Sequence, residues 1–373
     1  MKVAIIHYWF ITRRGGEKVV ESILKKYPQA DIYTLFYDRE QYGNHLDDHK
    51  IYSSILNTKF LRKFYQKIFP LYPLGIKSLK LKKEYDLIIS SESGPAKGIK
   101  ITNNAKHICY IHSPMRYAWS HTDDYLKSAN KLIRPLLKYF FKKLQKWDKT
   151  TINNVDLYIA NSYNVSERVK KYYNRKSIVI HPPIEEKLFE KKLRASTKEI
   201  YLSFGAITPY KRIDLLIDVF NINGKKLVII GEGSEKEKLQ KKAKKNISFE
   251  SFPNWEEVEN MIRKSKALLF PGEEDFGMIP LEVMSYGIPV IAYKKGGALE
   301  TVVENKKEIE HSTGLFFDRQ SIKSLNQTID FYENKADLFD PVFIRNHAKK
   351  FKESNFLDKF EQETSCLMKK NYE

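Results

Sequence analysis

Cysteine is scarce in this sequence: only Cys109 and Cys366 occur, far apart and without metal-ligand spacing. Their separation argues against a disulfide framework and a cysteine zinc site and favours a reducing compartment. No run of about 18 uncharged apolar residues is present, so we predict no transmembrane helix. Lys2 precedes a short apolar run with no small-residue cleavage site, which is typical of a first β-strand rather than a secretory signal. We therefore expect a cytoplasmic protein.

Acidic residues are few in the first half of the chain. The net charge is +19, and residues 1–188 hold 34 Lys and Arg against 17 Asp and Glu, whereas the remainder is nearly balanced. The excess is concentrated in 49–83 and 127–149, which are also rich in aliphatic and aromatic residues. A basic, aromatic-rich half indicates an anionic partner: a membrane surface, a phosphorylated ligand or nucleic acid. No motif of a known nucleic-acid reader accompanies it, so we expect no nucleic-acid partner.

Short apolar runs alternate with amphipathic segments throughout. We predict strands at 2–10, 87–90, 108–111, 157–160, 177–180, 200–204, 226–230, 247–249, 267–270 and 289–292. We predict helices at 17–27, 212–221, 235–244, 255–264 and 280–286. This alternation favours an α/β fold with parallel sheets covered by helices on both faces, one Rossmann-like unit in each half.

The paired prolines and charged stretch of 181–198 predict the domain boundary. We accordingly expect one Rossmann-like domain at 1–188 and a second at 189–354. The amphipathic tail 355–370 is predicted to be a helix that packs back on the first domain.

Two carboxylates follow the apolar run 267–270. Glu274 falls in an acidic, glycine-containing loop, and Glu282, after seven intervening residues, falls in the first turn of a helix predicted to start near Pro280. Both are expected at the carboxyl end of a parallel sheet, where α/β folds bind ligands. There they could accept hydrogen bonds from the hydroxyls of a sugar or ribose. Alternatively, Glu282 complements a helix dipole and Glu274 is a solvated loop charge.

Glycine pairs and cations also follow predicted strands. Gly15–Gly16 and Gly296–Gly297 would let backbone N–H groups approach an anion, or they form ordinary strand–helix turns. Lys211 and Arg212 directly follow a strand, where adjacent cations can pair with a diphosphate, or they are simply exposed charges.

His112 and Arg116 follow the strand predicted at 108–111. That position places His112 at the carboxyl end of a strand, facing the expected cleft between the domains. A structural histidine is the alternative interpretation.

In their order along the chain, the segments YIHSPMRYAW, FGAITPYKRID, EDFGMIPLE, GIPVIA and GGALE together resemble the retaining, nucleotide-sugar-dependent glycosyltransferases of family 4. The resemblance implies the GT-B fold, two facing Rossmann-like domains with a cleft between them. YIHSPMRYAW is similar to bacterial mannosyltransferases of surface-polysaccharide assembly. Transfer of a hexose, with mannose from GDP-mannose favoured, to a glycan or lipid-diphosphate-linked acceptor is implied. A UDP-sugar-dependent transferase and a non-catalytic sugar-nucleotide-binding protein are the alternatives.

The resemblance also implies roles for individual residues. Glu282 would bind the ribose and Glu274 the transferred sugar, and His112 would lie near the reacting carbon. The remaining assignments place Lys211, Arg212, Gly296 and Gly297 at the donor diphosphate, Gly15 and Gly16 near the donor phosphates and acceptor, and Arg116 at the acceptor.

One departure from the family pattern stands out: many relatives carry an arginine directly after the glycine that we align with Gly205, where this chain has Ala206. Arg212 is the candidate substitute. No Asp-x-Asp motif accompanies the site, so we expect metal-independent transfer and no cofactor besides the donor. We further expect a peripheral protein at the anionic inner face of the membrane.

Overall fold

The computed structural model describes residues 1–101, 104–120, 122–193, 199–250 and 255–369. The chain divides into a first unit, Met1–His181 with Phe356–Glu373, and a second unit, Pro182–Asn355. Residues 182–188, which we assigned to the first domain, thus lie with the second unit. In the first unit, Phe356 from the C-terminal segment packs 5.7 Å from the ring of Tyr110.

Within its described residues, the first unit is built around a parallel sheet of seven strands in the order β3-β2-β1-β4-β5-β6-β7. The strands are β1 Val3–Phe10, β2 Asp31–Tyr37, β3 Ile51–Ser53, β4 Leu87–Glu92, β5 Lys106–Ile111, β6 Leu157–Ala160 and β7 Ile178–Val179. Its helices are α1 Gly15–Lys26, α2 Arg39–Tyr42, α3 Lys59–Arg62, α4 Tyr72–Ser78, α5 Thr122–Ser128, α6 Arg134–Thr150 and α7 Tyr163–Tyr173.

Strands β2 and β3 are absent from our sequence prediction. β2 contains polar Asp31 and Thr34, which interrupt an apolar run, yet both are buried. The Asp31 carboxylate is compensated, because it accepts a hydrogen bond of 2.6 Å from the Tyr85 hydroxyl and pairs with Lys83 at 2.9 Å. Because Tyr85 and Lys83 supply hydrogen-bonding and charged partners, a strand with a buried carboxylate is tolerated in the sheet.

Within its described residues, the second unit has a parallel sheet of six strands in the order β10-β9-β8-β11-β12-β13. The strands are β8 Ile200–Phe204, β9 Leu227–Ile230, β10 Ile247–Glu250, β11 Ser265–Phe270, β12 Val290–Tyr293 and β13 Gly314–Phe317. The helices are α8 Ile213–Asn223, α9 Lys236–Gln240, α10 Trp255–Arg263, α11 Met278–Met284, α12 Ala298–Thr301, α13 Ile322–Lys335, α14 Pro341–Ala348 and α15 Glu353–Lys369, which continues into the first unit. We did not predict β13.

In each sheet the strand order reverses at the first strand of the unit. β1 lies between β2 and β4, and β8 lies between β9 and β11. Ligands of open α/β sheets bind beyond the carboxyl ends of strands at such a switch point. The predicted α/β fold is confirmed, and the topology directs attention to the loops that follow β1 and β8. None of the helices in the described residues combines the length and apolar character needed to cross a bilayer.

Candidate functional site

In the second unit, Lys211 and Glu274 form an ion pair between the Lys211 ammonium and Glu274 Oε1. Lys211 ends a 3₁₀ turn after β8, and Glu274 lies in the loop after β11. Their side chains are only 15% and 16% exposed, so water screens the pair weakly. Glu274 is therefore not the solvated loop charge of our alternative interpretation. Two neighbouring strands of the sheet instead bring a cation and a carboxylate together at their carboxyl ends.

A small pocket, partly open to solvent, lies beside this pair and is lined by residues that include Gly205, Ala206, Lys211, Gly272 and Glu274. Gly272 is needed there because a Cβ atom would lie 2.9 Å from the Tyr210 carbonyl oxygen and 3.0 Å from Lys211 Cα. The missing side chain at residue 272 thus lets the backbone that carries Lys211 approach the end of β11. The sequence prediction did not identify Gly272, although a glycine directly after a strand and a proline is a visible signal.

The Arg212 side chain is bound by residues other than Lys211 and Glu274. Its guanidinium donates to Asp214 at 3.1 Å and to Gln320 Oε1 at 2.9 Å. Among the described residues that line the pocket, Lys211 and Ala206 are present and Arg212 is not. Arg212 also adopts a left-handed backbone conformation with φ of 56°, which is uncommon for a residue other than glycine. Among the described residues, no hydrogen bond or ion pair joins the Arg212 guanidinium to the Lys211 or Glu274 side chain.

Glu282 lies in α11 and is 9% exposed. The helix begins at Met278, two residues before our prediction, so Glu282 is in the second turn and not the first. No acidic residue occupies the first turn of α11, which removes the helix-dipole explanation for Glu282. Gly277, which precedes the helix with φ of 95°, accounts for the earlier start.

Gly296 and Gly297 pack against the loop that carries Glu274. The Gly297 amide donates a hydrogen bond of 2.8 Å to the Glu274 carbonyl, and a Cβ atom at residue 297 would overlap the Phe276 backbone. Gly296 has φ of 62°, and its Cβ would overlap the Glu274 carbonyl oxygen. These glycines therefore fix the position of Glu274, and the Gly297 amide already has a backbone partner.

In the first unit, side chains near the carboxyl ends of the strands converge with the start of helix α1. The Ser91 hydroxyl and His112 Nε2 are 2.8 Å apart. A Cβ atom placed on Gly16 would lie 3.2 Å from the Tyr8 hydroxyl oxygen and 3.6 Å from His112 Nε2. Gly15 and Gly16 open helix α1, so the first-turn N–H groups lie beside these two side chains. Of this group, the sequence prediction identified His112, Gly15 and Gly16 and missed Tyr8 and Ser91.

The Tyr8 hydroxyl has several charged groups near it, and Arg116 is one of them. Burial and the nearby Glu17 carboxylate raise the pKa of Tyr8, while a hydrogen bond with Ser93 and, less strongly, the positive charge of Arg116 oppose that rise. Arg116 is therefore close enough to act electrostatically on the Tyr8 hydroxyl. Glu17 is itself buried, accepts a hydrogen bond of 3.0 Å from the Arg14 amide, and lies 3.6 Å from His7 Nε2.

A buried ionic cluster supports this edge of the sheet. Lys97 pairs with Glu92 at 3.3 Å and also with Asp148, and all three side chains are fully buried. Burial raises the pKa of Glu92 to about 7, with Lys97 opposing the rise and Asp148 adding to it. The Glu92 carbonyl accepts a hydrogen bond of 2.7 Å from the His112 amide. The cluster therefore anchors the backbone on which Ser91 and His112 are placed. No group of three or more candidate metal ligands occurs in the described part of the chain.

These two Rossmann-like units, each with polar side chains gathered at the switch point of its sheet, have the fold of the GT-B class. The solved structures with this fold include HepE of Anabaena in complex with UDP, with a TM-score of 0.73 at 15% identity over 98% of this chain and 100% of that one. Sucrose-phosphate synthase of Thermosynechococcus elongatus gives 0.74 at 15% identity over 98% and 99%. At these identities the likeness establishes the fold alone.

Sequence comparison identifies the family. The Glycosyltransferase Family 4 profile matches residues 13–188 and the profile of the glycosyl transferases group 1 matches residues 184–353. The chain belongs to the family 4-like glycosyltransferases and resembles mannosyltransferases. It is 25% identical to the alpha-1,3/1,6-mannosyltransferase ALG2 of Kluyveromyces lactis over 69% of this chain, and the match spans 61% of that protein. An uncharacterized glycosyltransferase of Methanocaldococcus jannaschii is 25% identical over 91% of this chain and 90% of its own length.

Proposed function

We propose that this glycosyltransferase moves a hexose from a nucleotide sugar with retention of configuration, and that its second unit binds the donor. The observation that carries the proposal is the Lys211–Glu274 ion pair beside the pocket at the carboxyl ends of β8 and β11. A cation and a carboxylate in a weakly screened site suit a diphosphate and the hydroxyls of a sugar, respectively. Glu282, on the helix that follows the same loop, is the proposed ribose ligand.

The proposed donor is GDP-mannose. Support comes from the family relatives, several of which are alpha-1,3/1,6-mannosyltransferases at low identity. The UDP-sugar alternative has its own support, because HepE, a protein of the same fold, has been solved with UDP-glucose. A panel containing both donors therefore separates the two hypotheses.

The chemistry proposed for the second unit is electrostatic. Departure of the nucleoside diphosphate develops negative charge on the leaving oxygen, and a cation already fixed in position stabilises that charge without reorganisation. Lys211 meets this requirement because Glu274 holds its ammonium, which also lies 5.9 Å from the centre of the Phe270 ring. Since no carboxylate is assigned as a nucleophile, we propose displacement on one face of the sugar, without a covalent intermediate and without a metal ion.

In the first unit we propose that His112 contacts the donor sugar near the reacting carbon. The Ser91 hydroxyl holds Nε2 of His112 and thereby orients the ring. Arg116, Gly15 and Gly16 are proposed to contact the acceptor and the donor phosphates. These roles place acceptor chemistry on the first unit, which carries most of the positive charge.

Thermal melting with a donor panel tests the donor proposal. We expect GDP-mannose, and less strongly UDP-glucose, to raise the melting temperature of the wild-type protein, because ligand binding to the native state stabilises it. The Glu282→Gln variant should lose most of this shift. A wild-type protein whose melting temperature is unaffected by every nucleotide sugar and every nucleoside diphosphate would refute the donor site.

We also propose that the first unit docks on an anionic membrane to reach a lipid-linked acceptor. Apolar side chains are exposed in and just before α6: Leu132 is 87%, Leu136 55% and Tyr139 59% exposed. Exposed lysines are interleaved with them at residues 131, 138, 142, 143 and 146. Each basic residue near an anionic bilayer contributes about 1 kcal/mol to the free energy of membrane binding, and apolar side chains on the same helix strengthen binding by inserting into the bilayer.

Liposome co-sedimentation tests this docking. Replacement of Lys138, Lys142, Lys143 and Lys146 by glutamate should abolish binding to anionic vesicles. The control carries four equivalent charge reversals on the second unit, at the exposed Lys241, Lys245, Lys307 and Lys323, and should bind as the wild type does. Binding that ignores lipid charge, or equal loss in both variants, would refute docking and leave the transferase proposal standing.

A further inference from the structure

A second pocket of the first unit is used by none of the roles above. It is open to solvent and is lined by residues that include Ile11, Arg39, Lys59, Arg62, Lys63 and Tyr65. Ile11 directly follows β1, and Arg39 lies in α2, which follows β2. The pocket therefore lies at the carboxyl edge of the same sheet that carries Tyr8 and His112, on the β2 side of the switch point.

The positive charge of this pocket is only partly compensated. Arg39 pairs with Asp47, and Arg62 lies 3.3 Å from Asp38. Lys59 and Lys63, one helical turn apart, are exposed and have no ion pair among the described residues.

Arg62 also has unused hydrogen-bonding capacity. Its Nη1 donates 2.9 Å to the Tyr37 carbonyl, which fixes the guanidinium at the end of β2. Its Nε is buried and has no hydrogen-bond partner in the described part of the structure. Burying an N–H donor without a partner costs about 1–3 kcal/mol. A ligand oxygen that accepts a hydrogen bond from this Nε–H group would remove that cost. Glu40 is the remaining acid of the lining, and it opposes anion binding.

The same segment carries two exposed aromatic rings. Phe60 and Phe64 are 69% and 41% exposed, and their ring centroids are 5.5 Å apart. They alternate with the cations Lys59, Arg62 and Lys63 along a single stretch of chain. Cations and exposed aromatic rings on one segment match a ligand that is anionic at one end and apolar at the other.

We propose that the pocket lined by Lys59, Arg62 and Lys63 binds the diphosphate group of the acceptor, with Phe60 and Phe64 against its lipid chain. The proposal rests on the proposed glycosyltransferase function. A diphosphate presents several oxygens to one guanidinium and two ammonium groups, the arrangement favoured for charge-assisted hydrogen bonds. Ile11, which lines the pocket, and Tyr8, on the same strand edge as His112, are three residues apart, about 10 Å along an extended chain, a separation that a short glycan could bridge.

Lysine acetylation followed by peptide mass spectrometry tests the pocket directly. Inorganic pyrophosphate at millimolar concentration should slow acetylation of Lys59 and Lys63 at least fivefold compared with sodium chloride at the same ionic strength. The exposed Lys170 and Lys171 of α7 serve as internal controls and should react at an unchanged rate. Equal slowing at all four lysines, or no slowing at Lys59 and Lys63, would overturn the proposal.

Farnesyl diphosphate separates a lipid-linked source from a soluble one. If the ligand is lipid-linked, farnesyl diphosphate should protect Lys59 and Lys63 at a concentration at least tenfold lower than pyrophosphate, and the Phe60→Ser/Phe64→Ser variant should lose that advantage. Equal concentrations would overturn the lipid-chain contact and assign the pocket to a soluble diphosphate.

Variants test the site independently of lysine reactivity. By calorimetry, Lys59→Gln/Lys63→Gln should bind pyrophosphate at least tenfold more weakly, whereas Lys170→Gln/Lys171→Gln should match the wild type. Acetylation of Lys211, in the proposed donor site, is measured in the same experiment and tests the proposed glycosyltransferase function. Protection of Lys211 by GDP or UDP, together with no protection of Lys59 and Lys63 by pyrophosphate, overturns this inference alone. The reverse result overturns the proposed donor site alone.

Discussion

Replacing Lys211 with methionine removes the one cation that the described residues place both in the proposed donor pocket and against Glu274. Methionine keeps much of the apolar stem and deletes the charge. A charge-assisted hydrogen bond to a phosphate oxygen contributes about 1.5–3 kcal/mol. That range corresponds to a loss of affinity of about 10- to 150-fold for a nucleoside diphosphate. The low exposure of both side chains, 15% and 16%, supports the full range because water screens the charge weakly.

Titration calorimetry with GDP, UDP and the corresponding nucleosides provides the assay. Lys211→Met should weaken binding of the diphosphates and leave binding of the nucleosides nearly unchanged, because the proposed ribose ligand is Glu282. The matched control is Arg212→Met, which deletes the neighbouring positive charge. Since the Arg212 guanidinium is held by Asp214 and Gln320, we expect its loss to change diphosphate affinity less than threefold.

Two results would refute this reasoning. If Lys211→Met and Arg212→Met weaken diphosphate binding equally, the contact geometry has no bearing on which cation binds phosphate. If neither variant weakens it, the pair does not belong to a diphosphate site. Glu274→Gln shows whether diphosphate binding needs the Lys211 charge itself or its ion pair with Glu274. It should release the Lys211 ammonium without removing it, and we therefore expect diphosphate binding to be retained.

Three further predictions concern binding, packing and pH. Glu282→Gln should weaken nucleoside binding about 10- to 150-fold by calorimetry, and an unchanged affinity would remove Glu282 from the ribose site. Gly297→Ala should lower the free energy of unfolding in urea by about 1–3 kcal/mol because its Cβ overlaps the Phe276 backbone, and wild-type stability would contradict that packing. Burial lowers the pKa of His107 to about 4, so the folded state binds fewer protons than the unfolded state and stability is lost as the pH falls from about 6.5 towards 4. The advantage of the wild type over His107→Gln, followed by tryptophan fluorescence, should therefore shrink by about 2 kcal/mol between pH 7 and pH 5, and a constant difference would show that His107 does not titrate as a buried group.

The sequence predicted those parts of the fold whose signal is local. Strand β1 is apolar apart from His7, and α1 follows with apolar residues at helical spacing, so both were recognised within a few residues. Strand β2 was missed because its stability comes from Tyr85 and Lys83, about fifty residues away, which compensate Asp31. A local pattern contains no information about such a partner.

In the candidate site, too, the sequence identified individual residues but not the contacts between distant segments. The resemblance singled out Lys211 and Glu274 separately, but their contact joins residues 63 positions apart and appears only in the structure. Arg212 was proposed as a substitute for the arginine absent at Ala206, and that role stays a prediction. The structure adds that Asp214 and Gln320 already hold its guanidinium.

Release of nucleoside diphosphate from a nucleotide sugar tests the central claim most directly. We predict that the wild-type protein, given a mannose-containing lipid-linked or soluble glycan acceptor, releases GDP from GDP-mannose faster than UDP from UDP-glucose. Glu274→Gln should bind GDP yet release at least tenfold less of it. The absence of release from every donor tested, or an undiminished rate in Glu274→Gln, would contradict the assignment of this site to glycosyl transfer.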